Sequence, residues 1–305
     1  MDAREQQEQW RARGLLGPPV LDEEYAEYQD DQGQPRLRQA AVLFLDQLGT
    51  RALGDADPLA QLRRTRRAIS RAHQLAPLTE DIPQVARWFS DNLLVGIRLS
   101  DEEPDYEGER LLDRGFGSVV IATAWVQLAL ILEGVAARGG IDIGQFYADA
   151  QFFFGPALNS AYTLESSVAV FPRVVLGDAA LTRAVEESLT GDLETFESML
   201  VVDEDEKVFV NYLGDLPYTI EEEQDTIEPL EAHRDRILGW LAQFSHDDRL
   251  GAKYLWMASF HNWMLETRLT PDLSEPLVVP DAPTRAFRAF DRQLLGMPEP
   301  QIDEE

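Results

Sequence analysis

The chain contains no cysteine and only four histidines, and its 27 Lys and Arg are outnumbered by 55 Asp and Glu. Without thiols there is no disulfide framework, no thiolate metal site and no cysteine nucleophile, and a reducing compartment is the expectation. The four histidines, His73, His233, His246 and His261, are scattered with no HExxH or similar ligand spacing, which argues against a histidine zinc site. A formal net charge of −28 repels a phosphate backbone over most of the surface, so nucleic-acid binding is not expected. Long hydrophobic runs are also missing. The longest, Val119 to Leu132, is about fourteen residues, which suits a buried helix better than a membrane span. The charged start, Met-Asp-Ala-Arg-Glu, does not read as a secretory signal, so the expectation is a cytoplasmic protein with no membrane partner. There is no Gly-x-x-x-x-Gly-Lys loop, and Ser90 lies in no Gly-x-Ser-x-Gly elbow.

What is present is an alternation of apolar runs and amphipathic stretches over 305 residues, enough for a sizeable core. Residues 1–38 read as a polar extension. Ala40 to Leu45 is a nearly continuous apolar strand, the pattern of a strand covered on both faces, and it ends in Asp46-Gln47-Leu48-Gly49-Thr50. Pro58 to Ala76 has helical periodicity, with Arg63, Arg64, Arg66, Arg67 and Arg71 around an apolar side; in so acidic a chain these arginines are expected to pair internally. A second apolar strand is expected from Val85 to Ile97. A helix is expected from Phe116 to Arg138, stopped by Gly139-Gly140. Ile141–Tyr147 and Asp149–Phe154 read as a hairpin. Gly155-Pro156 opens a helix running to about Ala169, and Val170–Leu176 is a further strand. The order β-α-β-α-β-β-α-β implies a sheet covered by helices on one side. Beyond it come a helix near 180–200, a strand at Val208–Leu213, an acidic linker from Glu221 to Glu228, an amphipathic helical pair at about 229–245 and 247–266, and an acidic tail expected to be disordered. The aromatic stretch from Lys253 to Asn262 reads most simply as core packing.

Asp46 and Asp91 each sit at or near the edge of a strongly apolar strand. A carboxylate beside a core needs a hydrogen bond, an ion pair or a metal, and two on neighbouring strands suit a pair of hard divalent cations. Aspartate at such a place also caps turns and helices, and residue spacing alone leaves both readings open.

Leu43-Phe44-Leu45-Asp46-Gln47-Leu48-Gly49-Thr50 resembles the first metal-binding segment of class III nucleotide cyclases, and Phe89-Ser90-Asp91-Asn92 resembles the second. Gly155-Pro156-Ala157-Leu158-Asn159 is similar to the Gly-x-x-x-Asn opening of that family's transition-state helix. With Ala161-Tyr162-x-Leu164-Glu165, Pro172-Arg173-Val174-Val175, Lys253-Tyr254-x-Trp256 and His261-Asn262, the set looks most like the bacterial pyrimidine cyclases of the Pycsar antiphage system, over roughly residues 39 to 265.

The resemblance implies an α+β fold with a ferredoxin-like βαββαβ sheet and helices on one side, a catalytic domain at 39–215 and a C-terminal helical extension at 216–305. It implies conversion of UTP or CTP to the 3′,5′-cyclic monophosphate and pyrophosphate by a homodimer, with two Mn²⁺ (or Mg²⁺) ions per site on Asp46, Asp91 and the main chain of Gln47. A separate effector protein would read the product. Phe44, Gly49, Thr50 and Arg51 would line the nucleotide site, with Arg87 and Phe152 at the base. Asn159 would orient the ribose from the opposite protomer. Where the family places a transition-state arginine stands Thr163, leaving Arg51, Arg87, Arg98 or Arg173 as substitutes, or else an inactive, cyclase-like binding module.

Overall fold

The apolar run at residues 40–45 lies in β1 (Arg38–Gln47), and all six of those residues are buried. Side chains alternate across a strand, and here the alternation divides two cores. Ala41, Leu43 and Leu45 enter a large cluster on one face, while Ala40, Val42 and Phe44 enter a smaller one on the other. Truncating Leu43 or Leu45 to alanine would cost about 2–5 kcal/mol.

The computed structural model describes residues 25, 28–30, 32–49, 57–75, 84–99, 116–190, 198–214 and 223–291. After β1 come α1 (Pro58–Leu75), β2 (Gln84–Phe89), β3 (Asn92–Arg98), α2 (Phe116–Leu132) and β4 (Ala137–Ala148). β2 pairs with β3, β3 with β1 and β1 with β4, every pair antiparallel, so the order 2-3-1-4 is the ferredoxin-like βαββαβ arrangement. The large core, with the apolar side of α2, covers one face of this sheet. Glu187 accepts hydrogen bonds from the N–H groups of Phe116 (3.1 Å) and Gly117 (3.2 Å), filling two donors that begin α2.

The short β5 (Phe153–Phe154) pairs back on β4. Next, α3 (Pro156–Thr163) lies on the opposite face of the sheet, with Ala157 and Ala161 packed into the smaller core, and it continues as one π-helical turn, Leu164–Val168. β6 (Val174–Leu176) runs parallel to β4. After α4 (Asp178–Thr190), β7 (Leu200–Val202) and β8 (Val208–Val210) extend the sheet antiparallel. α5 (Glu223–Gln243) and α6 (Asp248–Arg268) pack on the large core, and after the short α7 (Pro271–Ser274), β9 (Arg288–Ala289) adds to β7.

Several sequence expectations are corrected. The strand expected from Val85 to Ile97 is a hairpin: Ser90 takes φ 57° and the chain reverses at Ser90-Asp91. The helix expected to reach Arg138 ends at Leu132, with Gly134 at φ 82°. Gly139 and Gly140 lie inside β4 because the space above them is taken. A Cβ on Gly139 would stand 2.6 Å from Phe44 O, and one on Gly140 would strike Leu164 Cβ. The acidic stretch expected as a linker from Glu221 is helical from Glu223. α6 is buried on most of its circumference rather than amphipathic. The acidic tail and most of the N-terminal extension lie outside the described residues.

Candidate functional site

At the end of β1, Asp46 is flanked by Asn92 on β3 and Arg138 on β4, its register partners on either side. The β2–β3 turn brings Asp91 to the same edge. There the N–H of Gln47 donates to Asp91 O at 3.0 Å, and Asn92 Nδ2 donates to Asp91 Oδ1 at 3.3 Å. The two aspartates singled out by sequence therefore sit at the same end of adjacent strands, joined through the main chain. Gln47 turns its side chain the other way, where Oε1 accepts from Gln61 Nε2 (3.2 Å) and Thr65 Oγ1 (3.0 Å) of α1. Only its main chain is left for the Asp46 side. Leu48 N donates to Ala136 O at 2.7 Å, and Gly49 follows at φ 76°, a left-handed turn that favours glycine. Thr50 and Arg51 lie outside the described residues.

Three charged side chains to which the sequence pattern assigns no role complete the cluster. Arg138 Nε is 3.9 Å from Asp46 Oδ2, its Nη2 is 2.8 Å from Glu165 Oε1, and its Nη1 donates to Ala169 O at 3.4 Å. Glu165, on the π-helical turn after α3, is buried. Lys253, on α6, is buried too, within electrostatic reach of Asp46, Glu165, Arg138 and Arg249. Burial, followed by the charges of Glu165 and Asp91, pushes the Asp46 carboxyl up to about 6, against the pull of Arg138 and Lys253. Burial likewise raises Glu165 and lowers Lys253. Among the described residues, Asp46, Asp91 and Glu165 thus lie in one field with Arg138 and Lys253, and a divalent cation would relieve the mutual repulsion of the carboxylates.

The donor set fits such an ion. Among the described residues no group of three or more His, Asp or Glu side chains is placed to hold a metal alone. Two carboxylates and a main-chain carbonyl suit a hard cation that takes its remaining ligands from water and phosphate oxygens.

Beside the charges lies an aromatic surface. Phe44, two residues before Asp46 and on the same face, packs edge-on against Tyr162 of α3 (5.4 Å) and Phe89 of β2 (6.2 Å). Tyr162 and Phe89 stay exposed. Asn159 is on the exposed side of α3, and the hydroxyl of Thr163 donates to Asn159 O at 2.8 Å.

Other expected site residues are placed differently. Arg87 Nη2 donates to Ala150 O (2.9 Å), Asp149 O (3.2 Å) and Tyr25 Oη (3.3 Å), and its guanidinium covers the Phe153 ring at 4.7 Å. It ties the β4–β5 turn to β2. Phe152 is exposed near Tyr147. Of the arginines considered in place of Thr163, Arg98 lies at the far end of β3, six residues and about 20 Å from Asn92. Arg173 is fully buried and paired with Asp203 and Asp205. Arg138 is hidden in the sequence because the Gly139-Gly140 pair after it mimics a helix stop. Lys253 falls in the Lys253-Tyr254-x-Trp256 element of the resemblance, but its spacing three and seven residues before Trp256 and Phe260 reads as a buried helical stripe rather than as a site.

No family model matches the chain, and no curated protein matches it. Among solved structures it is similar to the guanylyl cyclase domain of the RhoGC fusion protein from the aquatic fungus Blastocladiella emersonii. That likeness has 12% identity and a TM-score of 0.37, over 57% of this chain and 94% of that one. It is also similar to a class III adenylyl cyclase-like ATP-binding protein from Pseudomonas aeruginosa, at 13% identity and TM-score 0.40, over 74% of this chain and 48% of that one. A bacterial light-regulated adenylyl cyclase gives 12% identity and TM-score 0.37, over 76% and 68%. These are likenesses of chain path at low identity, and the chemistry of the site rests on its own residues. No described helix is long and apolar enough to cross a membrane.

Proposed function

We propose that the chain is a nucleotide cyclase, in which the ribose 3′-hydroxyl of a nucleoside triphosphate attacks its own α-phosphorus and pyrophosphate leaves. The observation that carries this reading is the placement of Asp46 and Asp91 side by side at one end of two neighbouring inner strands, with Gln47 N bound to Asp91 O, in an acidic crowd whose Asp46 carboxyl is pushed up to about 6. A pair of Mn²⁺ or Mg²⁺ ions bound there by Asp46, Asp91 and the main chain of Gln47 would supply Lewis acidity at the 3′-hydroxyl and at the leaving pyrophosphate. The chain's own contribution is positioning and charge. Arg138, held by Glu165 and Ala169 O, offers a fixed cation beside Asp46 and stands in for the charge absent at Thr163. The turn at Leu48-Gly49 would meet the phosphates, and Phe44 with Phe89 and Tyr162 would meet the sugar or base by stacking.

The resemblance to the Pycsar enzymes extends the proposal. It adds UTP or CTP as substrate, a cyclic pyrimidine monophosphate read by a separate effector in antiviral defence, and a cytoplasmic homodimer in which Asn159 reaches the ribose of the opposite site. Support for the dimer is the exposure of Phe152 and Phe154, apolar groups that a second copy would cover. Arg87 at the base finds less support, since its Nη2 is engaged by carbonyls of the β4–β5 turn.

The deciding experiment incubates the purified chain with Mn²⁺ and each of the four nucleoside triphosphates and separates the products. Cyclic pyrimidine monophosphate is expected; a folded, dimeric protein that forms no cyclic product from any of the four ends the proposal. A second reading, a nucleotide-binding module without turnover, draws on Thr163, an uncharged residue whose hydroxyl is turned back onto its own helix. It predicts nucleotide binding unaffected by Asn159→Ala.

A further inference from the structure

Lys253 belongs to α6, in the helical pair between β8 and β9. It is only 7% exposed, yet among the described residues it makes no hydrogen bond and no ion pair within 4.0 Å. Its stem is buried on the same helix as Trp256, Met257 and Phe260, while Nζ is not among the buried nitrogens left without a partner, so the ammonium tip reaches solvent, and a methionine there would keep the packing of the stem. Its charged surroundings are mixed: Asp46 and Glu165 attract it, while Arg138 and Arg249 repel it. Two cations from different elements thus act on the same pair of carboxylates, Arg138 at 2.8 Å from Glu165 and 3.9 Å from Asp46, and Lys253 within electrostatic reach of both. Arg138 keeps a second unused donor at the spot, because its Nε is buried without a hydrogen-bond partner. Pairs that exist only to balance charge close to direct contact, as Arg138 and Glu165 do at 2.8 Å. Lys253 has not closed onto either carboxylate.

We propose that Lys253 is a phosphate-binding residue of the Asp46 site, an ammonium that α6 contributes to the polyphosphate chain of the bound nucleotide. The ligand class is an inorganic or nucleoside polyphosphate. Its terminal oxygens present several negative charges, and their charge-assisted hydrogen bonds to Lys253 Nζ and Arg138 Nε would fill both unused donors. The helical pair then completes the site in addition to covering the core. The inference rests on the cyclase reading for the nucleotide and stands apart from it for the polyphosphate.

The test measures binding of inorganic tripolyphosphate with Mn²⁺ to the full chain by calorimetry, for wild type, Lys253→Met, Lys253→Gln and Lys253→Arg. Lys253→Met is expected to keep or raise the melting temperature while weakening tripolyphosphate about tenfold or more, with partial recovery in Lys253→Arg. Absence of tripolyphosphate binding by wild type overturns the proposal. So does unchanged affinity in a folded Met or Gln variant, or failure of both neutral variants to fold, which would make the lysine structural. If no nucleotide is cyclised but Lys253→Met still weakens tripolyphosphate, the cyclase reading falls and the lysine's assignment survives. If cyclic product forms and Lys253→Met leaves tripolyphosphate affinity and KM unaltered, the cyclase reading stands and the lysine's assignment falls.

Discussion

Two clusters of buried charge lie in this protein, and they are built on opposite terms. Around Asp203 everything closes. Its Oδ2 accepts from Arg173 and from Trp256 Nε1 (2.8 Å), and its Oδ1 accepts from Arg285 (3.1 Å) and from Glu204 N (2.7 Å). The guanidinium of Arg173 also holds Asp205, and both arginines lie against the ring of Phe171. The network ties α6 and the segment after α7 to the β7–β8 hairpin, and a ligand has no acceptor left to claim on Asp203. Around Asp46 the terms do not close among the described residues: the nearest cation there is 3.9 Å away and Lys253 touches neither Asp46 nor Glu165. A cluster that satisfies itself is part of the fold, whereas one left in surplus beside the surface is available for chemistry.

The contrast is most open to test at the aspartates. On the proposed cyclase reading, Asp46→Asn or Asp91→Asn is expected to lower turnover by about a thousandfold or more, since the metal ions would lose a ligand and the transition state its charge stabilisation. Folding should be unharmed, because removing one charge relieves like-charge crowding. Product formation and urea midpoints measured on the same preparations check both halves. A loss of stability with activity per folded molecule retained would make these aspartates structural. Asp203→Asn should do the opposite. It leaves Arg173 buried without its full counter-charge, and the expected cost is about 3–5 kcal/mol. Turnover per folded molecule would stay near wild type, and equilibrium unfolding in urea reads the difference.

The same contrast explains what is legible in the sequence. β1 can be read directly, because a strand buried on both faces writes itself as a continuous apolar run, and the aspartate that ends it stands out against that run. The β2–β3 hairpin cannot, because no glycine or proline marks its turn and Ser90 takes the left-handed conformation unaided. Gly139 and Gly140 mislead for a related reason. Glycine after an apolar helix usually means a stop, but here the missing Cβ makes room for Phe44 O and Leu164. At the site, the two carboxylates announce themselves through local contrast. Arg138 is set there by strand register and Lys253 by the packing of α6, both far from Asp46 along the chain, information that helix and strand periodicity does not carry. Short strands such as β7 and β9 are defined by the partners they find rather than by their composition.

A third buried polar group extends the contrast to pH, with a smaller effect at any one condition. Tyr212 Oη lies 3.3 Å from His233 Nε2, His233 Nδ1 lies 3.0 Å from His261 Nδ1, and His261 Nε2 lies 3.0 Å from Leu277 O. One assignment satisfies the whole chain with both rings neutral: Tyr212 donates to His233, His233 to His261, and His261 to the carbonyl. Burial holds both histidines below their usual range, helped by His261 beside His233 and by Arg234 near His261, which falls to about 4. Between pH 6.5 and 4 the unfolded chain binds the proton that the folded one refuses, so stability falls as pH falls. For His261 alone the loss is about 1 kcal/mol at pH 6 and about 3 kcal/mol at pH 4. Asp46 works in the other direction: its folded value of about 6 lies above the ordinary 3.8, so the folded chain takes up a proton first and gains stability as pH falls through the same window. Urea unfolding from pH 7 to 4.5 in metal-free buffer should show a steeper acid loss for Asp46→Asn than for wild type. It should show a shallower one when His233 and His261 are both replaced by leucine. Equal slopes in all three would mean that neither cluster holds its protons as the geometry requires.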